Sequence, residues 1–133
     1  METSLMQFKP PKNDSKYRWT EHVKDKMRYY GISESLIKRI VRHPARIEDG
    51  IAPGTAASMQ RGTNKKKPQE IWVMFKEAKS AKRKAQSEIP IPSKKIIISA
   101  WRYPGVSPLG KKVPIPEEIM SELEHEMQDL TSL

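Results

Sequence analysis

An α+β fold is what this chain predicts, and three observations carry the prediction. Two amphipathic segments at helical spacing lie near the start, two nearly continuous apolar runs of strand length follow, and the pattern changes period between them. The first helix opens at Thr20, a suitable N-cap, with Glu21 in the first turn where the helix dipole favours an acid. Val23, Met27 and Tyr30 recur at helical spacing, and Gly31 suits the left-handed residue that closes a helix. Ser33 caps a second helix whose apolar face is Leu36, Ile37, Ile40 and Val41, and Pro44 ends it. The short link Gly31-Ile32-Ser33 makes the pair a helical hairpin.

Strands come next. Ala45 to Asp49 and Ala56 to Arg61 read as short strands around a Gly50–Gly54 turn. Ile71 to Phe75 and Lys95 to Trp101 are stronger, being apolar almost throughout, as in a sheet covered on at least one face. The expected architecture is a hairpin of helices on a small, mainly antiparallel sheet of about four strands. Residues 77–94 form a basic insertion that reads either as a hairpin loop or as a short exposed helix. Residues 1–16, with Lys9-Pro10-Pro11-Lys12, read as a flexible arm. The domain proper runs over 17–104. A proline-containing linker and an acidic amphipathic helix fill 105–133, with Ile119, Leu123, Met127 and Leu130 on one stripe. That stripe requires burial, against the domain or against a protein partner through residues 117–130.

Composition narrows the function classes. The 133 residues suit one domain, and the absence of cysteine excludes disulfides, thiol nucleophiles and thiolate metal sites. No apolar run nears the roughly 18 residues of a membrane span, and Met1 to Lys12 lacks a signal peptide's apolar stretch. A cytoplasmic protein without membrane contact is expected. Net charge is +9, but no Lys or Arg follows Lys112, so residues 1–112 carry +15. A body that positive attracts polyanions at long range, and RNA is the expected partner. The plainer explanation is a solubilising surface.

Glycine-rich phosphate loops, His-x-x-x-His pairs and clustered carboxylates are missing from the basic body, so no metal or cofactor is expected. RNA cleavage without metal needs a base, an acid and cations around the phosphorane. His22, Lys26 and Tyr29 share one face of the first helix; His22 is the proton-transfer candidate and Lys26 the phosphate holder. Alternatively His22 is half-buried on a backbone group and Lys26 is merely solvated. Trp101-Arg102-Tyr103 follow the strongest strand, where Arg102 can clamp phosphate, Tyr103 can donate a proton and Trp101 can stack a base. Against this, Trp101 also suits the core and Arg102 the surface. Lys24, Arg28 and Arg46 complete the expected nucleic-acid contacts. His43 reads as a helix C-terminal partner, and His125 lies among acids with no role assigned.

The segment from Trp19 to Ser33, with its His22-to-Gly31-Ile32-Ser33 spacing, resembles the opening of domain-of-unknown-function family 4258. Ile37 to Pro44 looks like that family's second helix, and Ile96-Ile97-Ile98-Ser99-Ala100-Trp101 like its last strand. The likeness spans roughly Tyr17 to Tyr103. It implies a RelE/BrnT-like fold, shared with metal-independent ribonucleases that include toxins of toxin–antitoxin pairs, and hence an antitoxin as one protein partner. It places the family histidine on His22 and its first helix arginine on Lys26. The family's second arginine falls on Tyr30, a departure that removes one cation and favours the alternative, a non-catalytic RNA-binding or protein-interaction module.

Overall fold

The computed structural model describes residues 8–51, 53–64, 66–78, 94–109 and 113–131, with side chains as far as residue 124. Most of the 77–94 insertion and the side chains of His125, Met127 and Leu130 lie outside what is described. Among the described residues eight elements follow in order: β1 (Tyr17–Trp19), α1 (Glu21–Tyr30), α2 (Glu34–Arg42), β2 (Arg46–Asp49), β3 (Thr55–Arg61), β4 (Gln69–Ala78), β5 (Lys94–Pro104) and α3 (Glu117–Thr131). The fold is α+β as expected, but the sheet has five strands in the order β1-β5-β4-β3-β2.

The additional strand is β1, which pairs parallel with β5, Tyr17 opposite Lys95. Three residues leave no alternation to detect, which is why the sequence pattern hides it. The preceding residues are fastened rather than loose over the stretch described here. Asp14 Oδ1 accepts from the amides of Lys16 and Tyr17, both at 2.8 Å, and Asn13 Oδ1 accepts from Trp19 N at 2.7 Å. Phe8 packs against the core.

Both helix caps are where the residue chemistry puts them. Thr20 Oγ1 accepts from Val23 N at 3.1 Å and donates to the carbonyl of Ile98 at 2.8 Å, tying α1 to the edge of β5. Gly31 closes α1 at φ 67°, a backbone shape only glycine adopts without strain. Ser33 Oγ accepts from Leu36 N and caps α2.

The sheet is covered on both faces. On one, α1 and α2 bury Val23, Met27, Ile37 and Ile40 against Trp19, Ile71, Val73 and Ile97. On the other, α3 sets Ile119 and Leu123 on Trp72, Met74, Ile98 and Trp101. The acidic helix therefore docks on its own domain, and these stripe residues are spent there. Trp72 and Trp101 stack nearly parallel, with centroids 6.4 Å apart. In β5, Ser99 faces Met74 and Ile97 faces Phe75, so Ile98 is bulged out of register.

Candidate nucleic-acid interface

The expected catalytic residues divide between separate places. His22 and Lys26 sit on the face of α1 turned toward α3. His22 Nε2 lies 2.8 Å from Ser99 Oγ, and its Nδ1 lies 3.8 Å from Glu122 Oε1. Lys26 Nζ donates to the same Glu122 oxygen at 2.7 Å. Burial holds the His22 imidazole below its ordinary range; Glu122 pulls it upward and Lys26 downward. For Lys26, burial lowers the ammonium, but the hydrogen bond and charge of Glu122 outweigh that and raise it. Tyr29, the third residue of that expected face, is exposed.

Arg102 lies at the other end of α1. Its Nε donates to Tyr30 O at 2.8 Å, Nη2 to Gly31 O at 3.1 Å and Nη1 to Gln69 Oε1 at 2.9 Å. Arg102 thus satisfies carbonyls that the end of a helix leaves open. Tyr30, whose carbonyl Arg102 holds, lies about 12 Å along the helix axis from His22 at 1.5 Å per residue, so the two side chains are engaged at opposite ends of α1. Tyr103, next along β5, turns to the opposite face and packs beside the α3 core.

Two expected nucleic-acid contacts are buried. Trp101 is 0% exposed and its indole donates to Pro114 O at 2.9 Å, so it offers no face to a base. The Arg46 side chain is 7% exposed. It donates to Glu48 at 2.7 Å, to Ser107 Oγ at 2.8 Å and to Pro108 O at 2.7 Å, and lies over the Trp72 ring. Its companion Glu70 is fully buried. Burial pushes the Glu70 carboxyl up, but hydrogen bonds from Ser107 and Trp72 and the charge of Arg46 more than reverse this. This network clasps the segment after β5 to the sheet. A charge read from sequence carries no mark of burial, so Arg46 was indistinguishable from a surface base.

Lys24 pairs with Glu21 at 2.9 Å, and Arg28 is exposed with its guanidinium over the Phe8 ring. Neither approaches a shared site with His22.

The cations that do converge are Arg39, Arg61 and Arg102. They line one cavity of about 320 Å³ between α2 and the ends of β3, β4 and β5, together with Thr63, Asn64 and Gln69. Arg39 is exposed and uses its Nε on Gln60 at 3.3 Å. Arg61 is half exposed, with Nη1 3.4 Å from Glu70 Oε2. A guanidinium has five N–H groups, so each of the three keeps donors beyond these described bonds. Glu70 tempers the charge at the cavity's inner side, yet three guanidiniums outweigh one carboxylate shared with Arg46. Such a fork-lined concavity suits the oxygens of a phosphodiester. Arg39 and Arg61 lie far apart in sequence and become neighbours only through the fold, so spacing gave no signal of them.

No group of three or more His, Asp or Glu capable of holding a metal occurs among the described residues. None of their helices is long and apolar enough to cross a membrane. Searches of family models, curated proteins and solved structures returned no match to this chain.

Proposed function

We propose that this protein binds RNA through its phosphodiester backbone, without cleaving it, as a non-catalytic module. The observation that carries the reading is the convergence of Arg39, Arg61 and Arg102 on one cavity. The +15 charge of residues 1–112 supplies the long-range attraction, and the guanidinium forks supply the local hold. Among the described residues its lining holds no His, Asp or Glu, and Glu70 at its inner side is already engaged by Ser107, Trp72 and Arg46, which supports a grip on phosphate over its cleavage.

The test is binding of bulk RNA to the intact protein at low salt. Arg39→Gln with Arg61→Gln should weaken it roughly ten- to hundredfold, the range expected for hydrogen bonds to charged groups. These changes spare Arg102, whose removal would also uncap α1. Unchanged affinity in the double variant would overturn the reading.

A second reading, a metal-independent ribonuclease of the RelE/BrnT-like kind and possible toxin, draws on one specific observation. His22 and Lys26, a base and a cation, stand together at Glu122, with the His22 ring also against the Ser99 hydroxyl. Glu122 occupies the position a phosphate would take, so cleavage requires α3 to shift. Shorter RNA products from the wild type, absent with His22→Gln, would favour this reading over simple binding.

A further inference from the structure

A second cavity deepens the reading above and names the form of nucleic acid it takes. It measures about 350 Å³ and is lined by Phe8, Lys9, Met27, Arg28, Gly31 and Ile32. Its floor is apolar, since Met27 and Ile32 are buried core residues, while Lys9 and Arg28 are exposed at its mouth. The Arg28 guanidinium lies 5.1 Å from the centroid of the Phe8 ring. Glu34 also borders the cavity, but its carboxylate is held by Lys38 at 2.8 Å. An aromatic ring and a planar guanidinium over an apolar floor is the lining that stacks a nucleobase. A phosphate alone has no use for such a floor.

The two cavities meet at the turn between α1 and α2. The carbonyl of Gly31 accepts from Arg102, which lines the arginine cavity, and Gly31 itself lines the Phe8 cavity. One cavity therefore offers three guanidiniums, and its neighbour around that turn offers a stacking surface with two cations.

We infer that the ligand is single-stranded RNA, bound with a phosphate among Arg39, Arg61 and Arg102 and an adjacent unpaired base in the cavity beside Phe8. A duplex is disfavoured because its bases are paired and stacked, leaving none to enter the second cavity. The inference rests on the arginine cavity being a phosphate site.

The experiment is competition against a labelled short oligouridylate bound to the full chain. Unlabelled oligouridylate, a blunt RNA duplex of equal nucleotide content and inorganic triphosphate serve as competitors. Oligouridylate should compete about tenfold better than the duplex, and Phe8→Ala should reduce oligouridylate affinity about tenfold, the scale of losing one stacked base. Triphosphate, which has no base to stack, should bind Phe8→Ala as it binds the wild type. Should Phe8→Ala fail to fold, Arg28→Gln at an exposed position provides the same comparison, with the same pattern expected. Equal competition by duplex and single strand overturns the inference, as does oligouridylate affinity unmoved by both variants. Those outcomes leave the arginine cavity standing if Arg39→Gln with Arg61→Gln still weakens every probe. If no probe binds at low salt, the arginine cavity fails as well.

Discussion

His22 couples stability to acidity through a single ring. Its imidazole is held below the ordinary histidine range, chiefly by burial, while the unfolded chain titrates normally. Below that ordinary value the unfolded state takes up a proton the folded state refuses, so stability falls as pH drops through the gap. Denaturant titrations at neutral and mildly acidic pH should show this loss, and His22→Gln should flatten it while keeping a donor toward Ser99. Glu70 acts in a lower window. Its carboxyl is depressed on folding, so its contribution is present above the ordinary glutamate range and lost as pH falls through the depressed value. Glu70→Ala should cost about 3–5 kcal/mol in denaturant unfolding, because it strips the buried Trp72 indole and the Ser107 amide and hydroxyl of their acceptor, while Arg46 keeps Glu48. Of the residues singled out from sequence, those near a helix end were the most legible. Thr20, Gly31 and Ser33 act through local backbone geometry, which sequence encodes directly. The arginine cavity was not legible, since Arg39, Arg61 and Arg102 belong to three elements that only the sheet order brings together.

Among the elements, α1 depends on its two ends more than on its propensity. Thr20 both caps it and bonds to Ile98 of β5, so Thr20→Ala should destabilise the protein by about 1–2 kcal/mol in thermal or denaturant unfolding. Gly31→Ala forces a Cβ into the left-handed region and should cost about 1 kcal/mol, with nothing within 4 Å to add a clash. The long strands β4 and β5 were readable because both of their faces are buried, which yields a continuous apolar run. The three-residue β1 was invisible for the opposite reason, as its pairing with β5 is set by tertiary contact. The acidic helix was readable as an element but not in its placement. Docking through Ile119 and Leu123 turns Glu122 onto Lys26, a contact no spacing rule anticipates.

For the whole molecule, charge separation predicts the ionic response. Contact with two or three phosphates of a single strand should give a log affinity that falls against log salt with a slope of about −1.4 to −2.1. Titration of oligouridylate binding across salt concentrations checks this; a flat response would leave no role for the basic body. The strand order carries one more implication, for synthesis on the ribosome. The strand flanked by β1 and β4 is nearly the last to be made, and Thr20 must wait for Ile98 before its hydroxyl finds a carbonyl. A nascent chain halted before residue 94 already has β3 and β4 for α2 to settle upon but lacks the strand on which α1 chiefly packs, and protease should digest α1 readily. Release of β5 from the exit tunnel would be the moment at which β1 and α1 become resistant together, in one step rather than by degrees.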